Sequence, residues 1–308
     1  MEKLSFVIPC YGSEKTIEHV IQGIEETVTG KNPYEIICVN DCSPDNVFKV
    51  LEKLAEQNDK IKVINLSKNF GQHNALMAGY RYCTGDIIVS LDDDGQTDPR
   101  LCYSLIKAID DNTDVVYARY PSKKHNAFRN FGTWMSQKMK IWLCEWPKDL
   151  TCTSYFAAKR FIIDEIIKYE NPYTFPSGLI IRTTRKIKNV DIEHHKRESG
   201  KSGYTFKKLI NLWLNGFTQF SVKPLRIATL CGVFVATMGF AYAIVIIIKK
   251  ILHPSITVGY SSIMCALLFI GGMLMIMLGL IGEYVGRIYI CMNQPPQYVI
   301  RNTINVEG

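Results

Sequence analysis

The last third of the chain carries two long apolar runs without a charged residue, and these limit the possible folds more than any other feature. They extend over residues 227–248 and 251–282. At about 1.5 Å per residue, a helix over the first run reaches roughly 33 Å, enough to cross a hydrocarbon core of about 30 Å. The runs predict a transmembrane hairpin with helices at 226–250 and 260–283. A pair of buried core helices is the alternative.

Before these runs, strand and helix patterns alternate along the chain. We predict strands at 4–9, 35–40, 62–65, 86–91 and 114–117 and helices at 14–28, 45–58 and 72–83. Such alternation predicts an α/β fold, with a mostly parallel sheet between two layers of helices. Ligands of these sheets bind beyond the carboxyl ends of the strands. Polar segments follow four of the predicted strands, at 9–11, 40–43, 67–69 and 92–94.

An acidic triplet ends the fourth predicted strand, where apolar residues 87–91 run directly into Asp92, Asp93 and Asp94. Three adjacent carboxylates repel one another and are costly to bury unless a cation neutralises them. Hard oxygen ligands suit Mg²⁺ or Mn²⁺, and a diphosphate commonly accompanies such an ion. The triplet therefore predicts a metal-nucleotide site. The sequence contains neither GxGxxG nor GxxxxGK[ST], so neither a dinucleotide fingerprint nor a P-loop is supported.

The charge pattern favours a lipid surface over nucleic acid. The net charge is only +7. Many basic residues lie in or beside the segments at about 127–146 and 204–225, which we interpret below as membrane-facing. This pattern suits anionic headgroups, although a solvated basic face is the alternative. The basic residues concerned are Lys123, Lys124, Arg129, Lys138, Lys140, Lys207, Lys208, Lys223 and Arg226. The ten cysteines form no CxxC pair and no zinc set, which predicts reduced thiols.

Two segments carry aromatic and apolar residues at helical spacing. The first, at about 127–146, places Phe128, Phe131, Met135, Met139, Trp142 and Trp146 on one stripe. The second, at 204–225, repeats the pattern and leads into the first apolar run. Both are predicted to be interfacial amphipathic helices. A plain core helix is the alternative for the first.

Two spans return the chain to the side from which it left, so residues 1–203 and the tail 284–308 should share one face of the membrane. Because nucleotide substrates are cytosolic, we expect a multi-pass protein of the inner or plasma membrane with a cytoplasmic catalytic domain and tail. Small residues recur at helical spacing in both spans, from Gly232 to Gly286. They permit close helix packing and, with the family resemblance given next, predict a homo-oligomer, with a tetramer as the candidate state.

The motifs, taken in order, resemble one family. They are residues 7–11 (VIPCY), 40–45 (NDCSPD), 66–72 (LSKNFGQ), 91–96 (LDDDGQ) and 279–289 (GLIGEYVGRIY). This series resembles the family 2 glycosyltransferases of GT-A fold. Within them it is similar to the polyprenyl-phosphate glycosyltransferases, which include dolichyl-phosphate mannose synthase and bacterial GtrB-type enzymes. The resemblance implies a Rossmann-like GT-A domain over 1–203 and a membrane hairpin.

The resemblance also implies roles for individual residues. Asp92, Asp94 and Gln96 would hold the metal on the donor diphosphate. The nucleotide would contact Pro9, Tyr11, Glu14, Asp41, Ser43, Lys68 and Asp92. The acceptor phosphate would be held by Arg119, Arg129 and Thr133, so that Asp92, Asp94, Arg119 and Arg129 form the catalytic set. A loop with His195, Arg197, Ser202 and Tyr204 would close over the diphosphate, although Gly203 stands where the family has a lysine and Lys201 precedes it.

These roles imply a membrane-bound inverting glycosyltransferase. A sugar would pass from a nucleotide-sugar, expected to be UDP-glucose or UDP-N-acetylglucosamine with GDP-mannose as the alternative, to polyprenyl (undecaprenyl) phosphate for cell-envelope glycan modification. That acceptor is already anionic and needs no general base. Asp93 could be a base by its position, and a solvated or structural carboxylate is the interpretation that we favour. A processive polysaccharide synthase is disfavoured because QxxRW is absent. A non-catalytic scaffold is disfavoured because the acidic motif is intact.

Overall fold

A computed structural model of the chain describes residues 1–120, 150–192, 223–252, 259–293 and 295–306. The chain divides into two compact units. The sheet unit comprises Met1–Gly203 together with Gln294–Gly308, and the helical unit comprises Tyr204–Asn293. The chain thus leaves the sheet unit once and returns to it.

The sheet unit is built on one eight-stranded sheet in the order β7-β5-β6-β4-β1-β2-β3-β8. Neighbouring strands are parallel except where β6 and β8 pair. The strands are β1 Leu4–Cys10, β2 Tyr34–Asn40, β3 Ile61–Leu66, β4 Ile87–Ser90, β5 Val115–Arg119, β6 Phe156–Lys159, β7 Ile187–Asp191 and β8 Ile300–Ile304. The predicted mostly parallel α/β sheet is confirmed.

Helices cover both faces of the sheet because the central strands are buried on both sides. In β1, Leu4, Phe6 and Ile8 join the core on one face while Val7 joins the core on the other. The first core contains residues of α1 Ile17–Val28, α2 Val47–Gln57 and α4 Cys102–Ile106. The second contains residues of α3 Gln72–Arg81, α5 Arg160–Ile166 and α6 Pro176–Thr183.

The parallel strands bring separate polar segments to one edge. Strands β1 to β4 are mutually parallel, so the residues that follow them lie at the same edge. Strand β5 runs in the same direction as β4 because both are antiparallel to β6. Arg119, the last residue of β5, therefore lies at this edge too.

The C-terminal residues correct one prediction. We expected 284–308 to be a separate tail, but the second long helix continues to Met292 and the chain then adds β8 to the sheet. Strand β8 pairs antiparallel with β3 from Val63 to Leu66. Sequence analysis does not predict this strand because its apolar pattern is weak. Its two isoleucines are half-buried, and the three residues between them are exposed.

The helical unit contains α7 Lys223–Leu252 and α8 Tyr260–Met292. In α8, residues Phe269–Met292 have the length and composition needed to cross a membrane; the apolar stretch found in α7, Ala228–Tyr242, is shorter. Both helices expose large apolar side chains, among them Phe240 at 71% and Ile276 at 74%. Near the end of α8, Arg287 forms an ion pair with Glu283, at 2.8 Å.

The two predicted amphipathic segments, 127–146 and 204–225, fall outside the described residues except for the first three residues of α7. Their assignment to a membrane interface stays a prediction.

Candidate functional site

A polar cavity of about 630 Å³ opens at the carboxyl edge of β1, β2, β3 and β4. Its wall includes five residues predicted to bind a nucleotide or metal: Pro9, Tyr11, Asp41, Asp92 and Asp94. The remaining lining residues are Cys10, Gly12, Ser13, Thr16, Asn69, Gly71, Gln72 and Asp93. The sheet therefore brings together segments more than 80 residues apart in sequence, as the strand-end argument predicts.

Neutral donors orient the carboxylate of Asp92. Gln72, the first residue of α3, donates from Nε2 to Oδ1 at 2.8 Å. The hydroxyl of Ser154, just before β6, donates to Oδ2. Neither donor was identified from the sequence. Gln72 lies in the motif 66–72, whereas Ser154 stands in a segment without any recognisable pattern.

Asp94 and Gln96 form a local turn. The main-chain amide of Gln96 donates to Asp94 Oδ1 at 3.1 Å, and its Nε2 donates to Oδ2 at 2.7 Å. Gln96 does not line the cavity. Its predicted role as a metal ligand stays a prediction.

Asp93 is part of the cavity wall. Its Oδ2 accepts the main-chain N–H of Tyr11 at 2.9 Å, and its carbonyl oxygen accepts the hydroxyl of Thr16 at 2.6 Å. Burial, together with the neighbouring charge of Asp92, raises the pKa of Asp93 to about 6 despite the Tyr11 hydrogen bond. Of the two interpretations offered for Asp93, the structural carboxylate agrees with these contacts.

Asp41 connects two walls of the cavity. It directly follows β2, and its two oxygens accept the N–H groups of Phe70 and Gly71 at 2.7 and 2.8 Å. Gly71 has a φ of +87°, a backbone conformation that favours glycine. Burial raises the pKa of Asp41, although both amide bonds act in the opposite direction. The carboxylate thus fixes the loop that carries Asn69 and Gly71.

Three other residues predicted to contact the nucleotide, Ser43, Glu14 and Lys68, do not line the cavity. The Ser43 hydroxyl accepts the N–H of Gly12 at 2.8 Å and donates to Asp45 Oδ1 at 2.6 Å. Glu14 Oε2 accepts the N–H of Asn46 at 3.2 Å. The Lys68 ammonium lies 4.9 Å from the centre of the Phe70 ring. Of these contacts, only that of Ser43 reaches a lining residue, Gly12.

The predicted acceptor residue Arg119 has a carboxylate partner in the structure. Its Nε and Nη2 donate to the two oxygens of Asp191 in β7, at 2.5 and 3.0 Å. Both side chains are about half exposed. The fork geometry suits a phosphate as well as a carboxylate. The remaining predicted contacts to the acceptor phosphate and to the diphosphate lie outside the described residues; they are Arg129, Thr133, His195, Arg197, Ser202 and Tyr204.

The described residues fit a divalent cation only in part. Asp92 and Asp94 offer hard oxygen ligands at one cavity, which suits Mg²⁺ or Mn²⁺. Within the ranges that the structure describes, no three His, Cys, Asp or Glu side chains are arranged to hold a metal ion. A cation bound by Asp92 and Asp94 would therefore need further oxygen ligands. The diphosphate of a bound nucleotide would supply them.

Comparisons with known families and proteins agree with this architecture. The model of the family "Glycosyl transferase family 2" matches residues 5–167, and that of the "GtrB C-terminal hairpin" matches residues 223–288. An uncharacterized glycosyltransferase of Synechocystis sp. is 33% identical over 99% of this chain and 96% of its own length. The undecaprenyl-phosphate 4-deoxy-4-formamido-L-arabinose transferase of Proteus mirabilis is 31% identical over 100% and 95%.

A solved structure shows the same fold over about two thirds of the chain. Glucosyl-3-phosphoglycerate synthase from Mycobacterium tuberculosis, in complex with Mn²⁺, UDP-glucose and phosphoglyceric acid, matches with a TM-score of 0.52 and 19% identity. The match covers 68% of this chain and 74% of that one. At this level of identity, the likeness concerns the fold alone.

Proposed function

The chain belongs to glycosyl transferase family 2 and is a glycosyltransferase, and we propose that it moves one sugar from a nucleotide-sugar to polyprenyl phosphate with inversion at the anomeric carbon. One observation carries the proposal. The cavity with Asp41 and the acidic triplet lies in the sheet unit. The chain runs from this unit into the apolar hairpin and returns to the same unit after it.

The donor is proposed to occupy the cavity at the carboxyl edge. Its lining offers carboxylates and amides from three strand ends, which suits the hydroxyl and N–H groups of a nucleoside. The solved relative of the same fold carries UDP-glucose. As the family resemblance implies, UDP-sugars are the first donors to test, UDP-glucose and UDP-N-acetylglucosamine before GDP-mannose. The name of the Proteus relative adds a 4-formamido-arabinose donor.

Asp92 and Asp94 would hold Mg²⁺ or Mn²⁺ on the donor diphosphate. When bound, such an ion stabilises the negative charge of the departing nucleoside diphosphate. Gln72 and Ser154 keep the Asp92 carboxylate oriented before the donor arrives. This prior orientation lowers the cost of ordering the site.

The acceptor is proposed to be a polyprenyl monophosphate, as the names of several relatives state for those proteins. A phosphate oxygen attacks the anomeric carbon while the bond from that carbon to the diphosphate oxygen breaks, so the leaving group departs with the electron pair. Arg119 would hold the phosphate in place of Asp191. Because one strand separates β5 from β4, Arg119 lies about 10 Å from the acidic triplet across the sheet edge.

The family of the hairpin and the exposed apolar surface of α7 and α8 support membrane association. Strands β1 to β7 and strand β8 belong to one sheet, so an even number of membrane crossings between them would keep all eight strands on the same side. Two crossings with a cytoplasmic sheet unit agree with this constraint and with a cytosolic donor. The predicted homo-oligomer through the hairpin stays a prediction.

A donor panel in lipid nanodiscs that contain undecaprenyl phosphate tests the proposal. We expect a divalent-cation-dependent glycolipid with one sugar from one of the four donors, with release of the nucleoside diphosphate. A long polymer would favour a processive synthase instead. No turnover with any donor, from a protein that is folded, would contradict the enzymatic proposal.

A further inference from the structure

We propose that Asn302, in the strand after the hairpin, is a positioning residue for the donor cavity. This inference rests on the proposed function, because it assigns the cavity to a nucleotide. Strand β8 meets β3 with Asn302 directly opposite Asn65, the last regular pair before the register shifts. Asn302 is far from the cavity lining in sequence and does not belong to it.

Three side-chain amides form a chain of hydrogen bonds that starts at Asn302. Its Oδ1 accepts Asn65 Nδ2 at 2.8 Å, and Asn65 Oδ1 accepts Asn40 Nδ2 at 2.8 Å. Asn40 Oδ1 in turn accepts the N–H of Ser43 at 3.1 Å. Asn65 and Asn40 are 9% and 4% exposed, so an unpaired amide in this chain would be costly.

The chain of amides ends at the cavity wall. Ser43 holds the N–H of Gly12, whose φ of +73° shapes the first loop of the cavity. Asn40 directly precedes Asp41, and the Asp41 carboxylate holds Phe70 and Gly71. A change in the orientation of Asn40 would therefore displace both loops of the cavity, the one with Gly12 and the one with Gly71.

The same C-terminal segment holds the loop after β3 through the main chain. Ser67 donates its N–H to the carbonyl oxygen of Val299 at 2.8 Å, and Arg301 Nη2 donates to the carbonyl oxygen of Ser67 at 3.2 Å. Two residues later, Asn69 lines the cavity. Sites built on loops need such support, because small displacements of the binding groups lower affinity.

The chemistry of the chain predicts which substitutions matter. Asn302 acts only as an acceptor toward Asn65, so Asn302→Asp keeps the hydrogen bond and Asn302→Leu removes it. Thr303 is exposed and its side chain points to the opposite side of the strand, which makes Thr303→Ala a matched control.

The test measures nucleotide-sugar affinity and steady-state kinetics of the full chain in nanodiscs, with the donor found in the panel. For N302L we expect the donor Kd and KM to rise about five-fold, the change that one net hydrogen bond is worth. The kcat and the KM for undecaprenyl phosphate should stay within about two-fold of wild type. N302D and T303A should bind the donor like wild type.

An N302L variant that binds the donor like wild type would overturn the positioning role, and so would equal losses in N302L and N302D. If N302L does not fold, hydrogen exchange of the wild-type protein tests the positioning role instead. Donor binding should slow amide exchange in residues 299–304, and the absence of any slowing would overturn the role. A wild type that neither binds nor turns over any donor contradicts the proposed function instead.

Discussion

Strand β2 carries a buried carboxylate at each end, and the two have opposite surroundings. Glu35, near its start, is 2% exposed, and Asp41, just after its end, is 3% exposed. Glu35 accepts hydrogen bonds from Lys62 at 2.8 Å and from Ser5 at 2.5 Å, with Lys3 at 3.4 Å. In the described part of the chain, Asp41 accepts only the two main-chain N–H groups of the next loop.

We propose that this difference separates a structural end of the sheet from a functional one. Burial raises the pKa of Glu35, but the hydrogen bonds from Lys62, Ser5 and Thr84 outweigh it and hold the value at about 2. At the other end, burial raises the pKa values of Asp41 and Asp93. The protein neutralises Glu35 with its own lysines, whereas we propose that the carboxylates at the other end also bind a ligand that brings positive charge or hydrogen-bond donors.

The largest effect is expected at the acidic triplet. Asp94→Asn should lower glycolipid formation at least about a hundred-fold, because charge stabilisation on the leaving group is lost. The melting temperature should change little, since the amide oxygen introduced in D94N can still accept the main-chain N–H of Gln96 in this turn. The exposed Asp59→Asn serves as control. Activity close to wild type in D94N would contradict the proposed role of Asp94 in stabilising the leaving group.

The opposite result is expected at the other end of β2. Glu35→Gln should lower the free energy of unfolding by about 3 kcal/mol, because two lysines lose their buried partner. The donor KM should stay the same. Denaturant unfolding and kinetics of E35Q, with exposed Glu52→Gln as control, measure both. A rise in donor KM without loss of stability would contradict the structural role of Glu35.

The pH dependence of stability sharpens the same comparison. Because folding lowers the pKa of Glu35 from 4.5 to about 2, its contribution is complete above pH 4.5 and is lost as the pH falls toward 2. The shift corresponds to roughly 3 kcal/mol. The stability difference between wild type and E35Q should shrink over this range. A difference that is constant from pH 5 to about pH 2 would show that the carboxylate charge is not responsible.

A smaller loss of stability than in E35Q is expected at Asp41. In Asp41→Asn, the new amide nitrogen faces one of the two main-chain N–H groups, so the loop with Asn69 and Gly71 shifts. We expect donor affinity to fall about ten-fold and stability to fall by about 1 kcal/mol, less than in E35Q. Isothermal titration with the donor and a melting curve measure the two changes. A loss of stability larger than that of E35Q would remove the distinction between the two ends.

Sequence analysis predicts the functional end of β2 better than the structural end. The alternation of apolar runs with helices identifies the strands whose carboxyl ends meet, and so it finds Asp41 and the acidic triplet. The partners of Glu35 lie 27 to 49 residues away in sequence, and no periodic pattern connects them. The same holds for Arg119 and Asp191, which are 72 residues apart.

The C-terminal strand shows the same limit. Residues 300–304 alternate only weakly, because an edge strand buries little of each side chain. Its pairing with β3 depends on the tertiary fold, and the amide chain from Asn302 to Asn40 follows from that pairing alone. Sequence patterns predict regular elements, whereas such contacts between distant polar side chains require the structure.

The central claim is that the donor binds at the carboxyl edge of the sheet. A cryo-electron microscopy structure of the full chain in nanodiscs with Mn²⁺ and the donor identified in the panel tests it directly. We expect the nucleotide in the cavity of Asp41 and Asp93, with the diphosphate beside Asp92 and Asp94. A bound nucleotide at any other place on the protein, with this cavity vacant, would contradict the account.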